Sequence, residues 1–266
     1  MPGDFGPIEE AAAKLSGLVT TGRVRHWLDA LPTPDIAAFL ATAADAEIGR
    51  AMVRYSFLVQ AYVWGEPTPL DRLPANLAVP FVALADRIGF PPVMNYAGYV
   101  LDNWYRLDKS GPIALENLVM DQHFAGGQDE NWFVLVHVAI EAEAGRALEL
   151  AVQLVQASDT GDAAAVEALL LDMHAVWDAI NAIFDRMVEK CDPYIYFNRV
   201  RPYINGWKNN PAMPGGLIYD GVARFDGKPQ ALRGQTGSQS SIVPTMDALF
   251  QVVHSGDELR DCLQIG

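Results

Sequence analysis

Apolar residues recur at three- and four-residue spacing along most of the chain, the mark of amphipathic helices. Residues 8–18 alternate small, charged and apolar positions in this way, and 23–31 continue the pattern until Pro32 ends it. Thr33 and Pro34 fit the N-cap and N1 positions of a helix over 35–44. The spacing next predicts a helix over 47–64, with Met52, Tyr55, Ser56, Val59 and Tyr62 on one face and Gly65, Pro67 and Pro69 closing it. A helical unit over 73–88 is expected to be broken near its start by Pro74 and Pro80. Residues 96–104 are apolar almost all round, which predicts a buried helix.

The turn at 109–112 is a natural boundary between a small helical domain, 1–108, and a larger one, 109–266. Beyond it the chain reads as a short helix near 113–121, a loop FAGGQDE over 124–130, and a helix over 132–156 capped by Asn131. Asp162 caps the next helix, in which Val166, Leu169, Leu170, Met173, Val176, Trp177, Ile180, Phe184 and Met187 recur to about Glu189. Asp192 and Pro193 restart the chain into a helix carrying Arg201. Asn209, Asn210, Pro211, Pro214, Gly215 and Gly216 stop that helix and force irregular backbone. Loops so specialised tend to line sites, and a second polar loop, RGQTGSQSS, follows at 233–241. A short hairpin over 217–223 and helices over 242–253 and 257–263 complete the reading. No internal repeat is present, and the strands do not suffice for a large sheet, so the class is all-α.

With 266 residues, half of them hydrophobic, the chain can bury a sizeable core. Its formal net charge of -14 opposes phosphate tracking and anionic lipid surfaces, so neither nucleic acid nor membrane is an expected partner. No apolar run reaches the roughly 18 residues of a membrane span, and no signal peptide is visible, which predicts a cytoplasmic protein. Two cysteines, Cys191 and Cys262, without a CxxC, argue against a disulfide framework or a thiolate metal site.

The candidate chemistry gathers at few positions. His137 follows Phe133 by four residues on an apolar helix face, and a buried imidazole must find a hydrogen-bond partner. It is either a core histidine bonded to a backbone carbonyl or a distal base facing a ligand, with Phe133 stacked beside it. Glu141, one turn on, either orients His137 or meets solvent. Arg201 is read as buried, and needs an anion: an internal carboxylate or the carboxylate of a substrate. Tyr96 and Tyr99 lie three apart, as core tyrosines or pocket residues, and Thr236 sits among small donors and acceptors. His26, His123, His174 and His254 show no metal-binding spacing, and no nucleophile elbow, Walker loop or dinucleotide fingerprint is present.

Several stretches resemble the indoleamine 2,3-dioxygenase family of haem proteins: AYVWG at 61–65, LPANLAVPF from 73, GFPPVMNYAGYVLDNW from 89, GWKNNPAMPGGLIYDGV from 206, and QSS at 239–241. The likeness runs in order from about Ile8 onward. It implies a ferrous haem that binds O2 and cleavage of the indole C2–C3 bond of L-tryptophan or a related indoleamine, giving N-formylkynurenine. Position by position, it implies that Arg201 pairs with the substrate carboxylate. Tyr96, Tyr99 and Phe133 lie beside the indole, Phe197 and Ile204 form apolar walls, and Thr236 stands near the haem propionate and substrate ammonium. Val100, Phe133, Thr236 and Gly237 are the implied haem contacts.

Two positions depart from the family pattern. His137 stands where the well-known indoleamine enzymes carry serine, an FxxxH arrangement similar to tryptophan dioxygenase that places an imidazole near the indole N–H. Tyr99 is bulkier than the usual residue. None of the five histidines matches the proximal haem ligand, which is expected outside the given chain, on a missing C-terminal helix or on a second polypeptide. The resemblance also admits a related enzyme rearranging another indole, as in pyrrolnitrin formation, or a haem-free indole-binding relative.

Overall fold

The computed structural model describes residues 5–252. The helix expected over 257–263, with Cys262 and His254, lies outside them. The architecture is all-α, with two small two-stranded ladders among the helices. Helix α1 (Gly6–Thr20) buries Ile8, Ala11, Ala12, Leu15, Leu18 and Val19 on one stripe. Helices α2 (Val24–Asp29) and α3 (Ile36–Thr42) are short. The cap of α3 is Asp35, whose carboxylate accepts the Ala38 N–H at 3.0 Å, in place of the expected Thr33. Helix α4 (Asp45–Trp64) is buried nearly all round and forms the centre of the main core.

Several sequence expectations change here. Pro74 is the N-cap of α5 (Ala75–Ile88), but Pro80 lies inside the helix without breaking it. Burial of Leu77, Phe81, Leu84 and Ala85 on the core face outweighs the hydrogen bond it forfeits. The predicted helix over 96–104 is a single π turn, Ala97–Leu101, followed by strand β2 (Trp104–Arg106). The predicted helix near 113–121 is mostly strand β3 (Leu118–Met120), antiparallel to β2. The expected hairpin over 217–223 is strand β4 (Ile218–Tyr219), which pairs in parallel with β1 (Arg72–Leu73), while Leu217 bridges Gln230. For the strands, partners distant in sequence supply the backbone hydrogen bonds, so local spacing could not reveal them.

Helix α6 (Gln128–Asp159) starts before the expected Asn131 cap and runs from the main core into a smaller one. There it meets α7 (Ala163–Asp185), capped as expected by Asp162, and α9 (Ile242–Leu249). Of the α7 apolar positions only Met173, Val176 and Ile180 are buried; Leu170 and Phe184 are exposed. The main core draws on residues from both sides of 108–109. The helix expected to carry Arg201 is three short pieces: α8 (Pro193–Ile195), a π turn (Tyr196–Val200) and a 3-10 turn (Arg201–Ile204).

Backbone contact joins the two polar loops. The Trp207 and Lys208 N–H groups donate to Leu232 O at 2.7 and 2.9 Å. Gly206 and Gly234 lie back to back: a Cβ on Gly206 would stand 2.0 Å from the Gly234 nitrogen. Only glycine at both positions permits this approach.

Polar groups tie the remaining pieces to α4. Arg54, 5% exposed, binds Asp121 at 2.7 Å, Glu9 at 3.2 Å and Gln122 Oε1 at 2.9 Å. Gln122 in turn donates to Ala12 O at 2.9 Å, and its backbone exchanges hydrogen bonds with the Asn103 amide. That amide also donates to Tyr99 O, at 3.2 Å. Burial pushes the Glu9 carboxyl up, but bonding to Arg50 and the charges of Arg54 and Arg50 hold it below its ordinary value. Arg54→Met should therefore cost about 3 kcal/mol in urea unfolding, because it takes from Asp121 and Gln122 their buried partner and leaves Glu9 with the more exposed Arg50. A depressed carboxyl stabilises above its unfolded value and loses that contribution as pH falls through the folded one. The wild type should thus lose more stability on acidification below pH 4.5 than Arg54→Met does. Parallel acid profiles would show that Arg54 does not contribute to holding the Glu9 carboxyl down.

Candidate functional site

Four residues of α6 stand at spacings of three and four: Glu130, Phe133, His137 and Glu141. Such positions share one helix face. Against them lie the 97–101 π turn with Tyr96, Tyr99 and Val100, and the 196–200 π turn with Tyr196. The Phe133 ring is 4.4 Å from the His137 ring, 4.2 Å from Tyr196 and 6.5 Å from Tyr99, centroid to centroid. Tyr96 meets His137 edge-on at 6.3 Å.

His137 makes the backbone-carbonyl bond that the first sequence alternative expects. Its Nδ1 lies 2.7 Å from the carbonyl of Phe133, one turn back. With the proton on Nδ1 this is a donor bond, and Nε2 becomes an acceptor. Burial pushes the imidazole below its ordinary value, which favours the neutral form that this arrangement needs. Glu141 neither binds His137 nor stays free: it accepts the Tyr96 hydroxyl at 2.8 Å. Burial, then the Glu141 charge, push the Tyr96 phenol well up.

The second polar loop reaches this cluster through Gln239. Its Oε1 accepts the Tyr96 N–H at 2.9 Å and the Thr236 N–H at 3.4 Å, while the Thr236 hydroxyl accepts from Ser238 N at 3.4 Å. Thr236 thus caps a 3-10 turn (Gly237–Gln239) whose last residue is tied to the Tyr96 backbone. Gly237 is exposed, with open space where a Cβ would point.

The structure brings together Tyr96, Tyr99, Val100, Phe133, His137 and the Thr236 loop. Ile204 belongs to the main core, 2% exposed. Phe197 is set apart at 70% exposed. Arg201, read from sequence as buried, is exposed, and among the described residues it has no carboxylate partner. It closes the π turn by donating its backbone N–H to Tyr196 O, and so lies at the rim of the cluster.

Glu130, Tyr196 and Gln239 escaped the sequence analysis. Glu130 reads from the sequence as part of a loop, although it stands three residues before Phe133. Tyr196 precedes Arg201 by five, a spacing that fits a π turn and not an α-helix. Glu130 is 1% exposed and accepts the Phe124 N–H at 2.7 Å and the Gly126 N–H at 2.9 Å. It thereby fixes Phe124, which stacks on Tyr203 at 5.0 Å and packs against Phe57 at 4.4 Å and Tyr99 at 6.3 Å. Burial pushes the Glu130 carboxyl up to about 7 against these two bonds.

These contacts define a class first: a helical protein with a largely buried aromatic cluster, an imidazole on one side of it and a cation at the rim. Comparison with known proteins narrows the class. The family model described as indoleamine 2,3-dioxygenase matches residues 1–262, and the chain belongs to that family. It is 32% identical to indoleamine 2,3-dioxygenase 1 of Rattus norvegicus, over 97% of this chain and 62% of that protein. It is 31% identical to indoleamine 2,3-dioxygenase 2 of Homo sapiens, over 96% and 62%. For indoleamine 2,3-dioxygenase of Saccharomyces cerevisiae the figures are 30%, 94% and 56%. The chain thus spans about 60% of the length of these relatives. Among the described residues no helix is long and apolar enough to cross a membrane.

The buried carboxyl makes a pH prediction. A carboxyl raised on folding keeps its proton in the native state while the unfolded chain has released it. Between pH 4.5 and about 7, Glu130 should therefore make stability fall as pH rises. The difference between wild type and Glu130→Gln in urea unfolding should slope across that window and flatten above it. A pH-independent difference would show that Glu130 is already ionised at its ordinary value.

Proposed function

We propose that the chain carries the substrate side of a haem-dependent dioxygenase that opens the indole C2–C3 bond of L-tryptophan, or a related indoleamine, with O2 to give N-formylkynurenine. The observation that carries this reading is the hydrogen-bond state of His137. With Nδ1 engaged by Phe133 O, Nε2 is an acceptor, the role needed to receive an indole N–H. A neutral imidazole does so without leaving a buried charge.

The other residues then take complementary parts. Phe133, Tyr96 and Tyr99 flank the ring, with Ile204 as an apolar wall; Phe197, exposed, takes no part. Arg201 binds the carboxylate from the rim, and Thr236 the ammonium side. Tyr96 is held on both sides of its ring, by Glu141 at the hydroxyl and by Gln239 at the backbone, so its place is preorganised.

Haem b supplies O2 binding and redox chemistry when bound. The residues present fit one face of such a flat apolar group: Val100 and Phe133 are apolar, and Gly237 leaves open space beside the Thr236 hydroxyl. The proximal histidine is proposed to lie outside the given chain. Nothing in the comparisons supports a second polypeptide as its source, and that expectation is dropped.

In the haem-loaded protein, Arg201→Leu should raise KM for L-tryptophan about 10- to 100-fold, the loss of one hydrogen bond to a charged group. An unchanged KM in the folded variant would remove Arg201 from the site. His137→Ala should slow turnover of L-tryptophan more than that of 1-methyltryptophan, which lacks the indole N–H. Equal slowing would make His137 structural. The product separates this reading from a ring-rearranging enzyme: formylkynurenine absorbance supports it, and a rearranged pyrrole refutes it.

A further inference from the structure

A cleft of about 790 Å³ opens between the end of α1, the loop after α4 and the segment 198–203. Ligand-binding clefts commonly run from roughly 300 to 1,000 Å³. Neither Phe133 nor His137 is among its walls. The segment 196–204 serves both places: Tyr196 packs against Phe133, while Arg199, Pro202 and Tyr203 line the cleft.

Two half-buried rings form the platforms of this cleft. Trp64 stacks on buried Trp207 at 5.9 Å, and its indole N–H donates to Asn205 O at 3.3 Å. Tyr203 stacks on buried Phe124 at 5.0 Å, with the ring planes 13° apart. Each ring is held from behind and offers aromatic surface to the cleft. Pro67, Pro69 and Pro202 add walls of restricted backbone. A site of backed rings and prolines has little freedom to lose when a flat ligand enters.

Two charged side chains line the cleft, and they differ. Glu66 is committed: it accepts the Arg25 N–H at 3.1 Å and pairs with the Arg25 guanidinium at 3.5 Å. Arg199 is exposed and has no carboxylate partner among the described residues. A guanidinium in this state suits the planar fork of a carboxylate. One cation fits a monoanion better than a polyphosphate, and Glu66, already paired, leaves no carboxylate for a ligand ammonium.

We propose that this cleft is an accessory binding site for a planar aromatic monocarboxylate without an amino group. Its ring lies against Trp64 and Tyr203, and its carboxylate meets Arg199. The site is separate from the indole site and does not rest on the function proposed for it.

The test is isothermal titration of the full 266-residue chain with 2-naphthoate and with its neutral analogue 2-naphthamide. The unaltered chain should bind one 2-naphthoate, about three- to tenfold more tightly than the amide. Arg199→Leu should remove that preference and leave the amide within about twofold. Its Tm should stay within about 2 °C, since Arg199 is exposed. Thr20→Trp, which fills the cleft from α1, should weaken both ligands. Arg201→Leu should leave 2-naphthoate binding within about twofold. No saturation below about 5 mM, where a ligand of this size should bind, would overturn the inference. So would equal affinity for acid and amide in the unaltered chain, which decides the matter without any variant. Loss of 2-naphthoate in Arg201→Leu but not in Arg199→Leu would also overturn it, by placing the ligand in the indole site.

Discussion

One guanidinium holds the first half of the molecule in register. Arg54 is nearly inaccessible to solvent, yet it reaches α1 through Glu9 and the segment after β3 through Asp121 and Gln122. A buried cation is tolerable only with its partners in place, so the three segments must arrive together. Through Gln122 and Asn103 the same network reaches Tyr99 O, at the edge of the candidate site. The site's position thus depends on a polar anchor that touches none of its aromatic rings.

The site itself is built from departures from regular helix. Two π turns, at 97–101 and 196–200, face one stretch of ordinary α-helix. A π turn gives up ideal hydrogen bonding and widens the backbone, and it moves side chains five residues apart onto one side. Tyr196 and Arg201 are brought together in this way. Rigid α6 supplies Phe133 and His137 at fixed spacing, and the irregular turns aim Tyr96, Tyr99 and Tyr196 at them. Gln239 and Glu141 then lock Tyr96 from two directions.

The same feature explains what could be read in advance. Phe133 and His137 lie on a long helix with strong periodicity, and the spacing alone placed them on one apolar face. The special character of the loops around Gly206 and Thr236 was visible in their glycines, prolines and small polar residues. The exposure of Arg201 was not visible, because a charged residue after an apolar run reads as buried if the helix is assumed to continue. Nor was the role of Glu130, because the N–H groups that donate to it lie in a loop whose path no periodicity describes. Tyr196 was not visible either, because it meets Arg201 at a five-residue spacing that an α-helix does not bring together.

The amino-acid sequence by itself determined the helical class, the amphipathic stripe of α1, the Asp162 cap and the family likeness, since each rests on interactions within a few residues or on motif order. Only the tertiary structure decided that 104–106 and 118–120 are paired strands, that Pro80 rides inside a helix, and that Glu141 binds Tyr96 in preference to His137. These outcomes turn on hydrogen-bond partners and buried surface supplied by remote segments. Local propensity differs by fractions of a kcal/mol, roughly 0 to 0.7 per ordinary helical residue, whereas burying one large apolar side chain contributes about 1.5–3 kcal/mol. Where the two compete, the remote contact prevails.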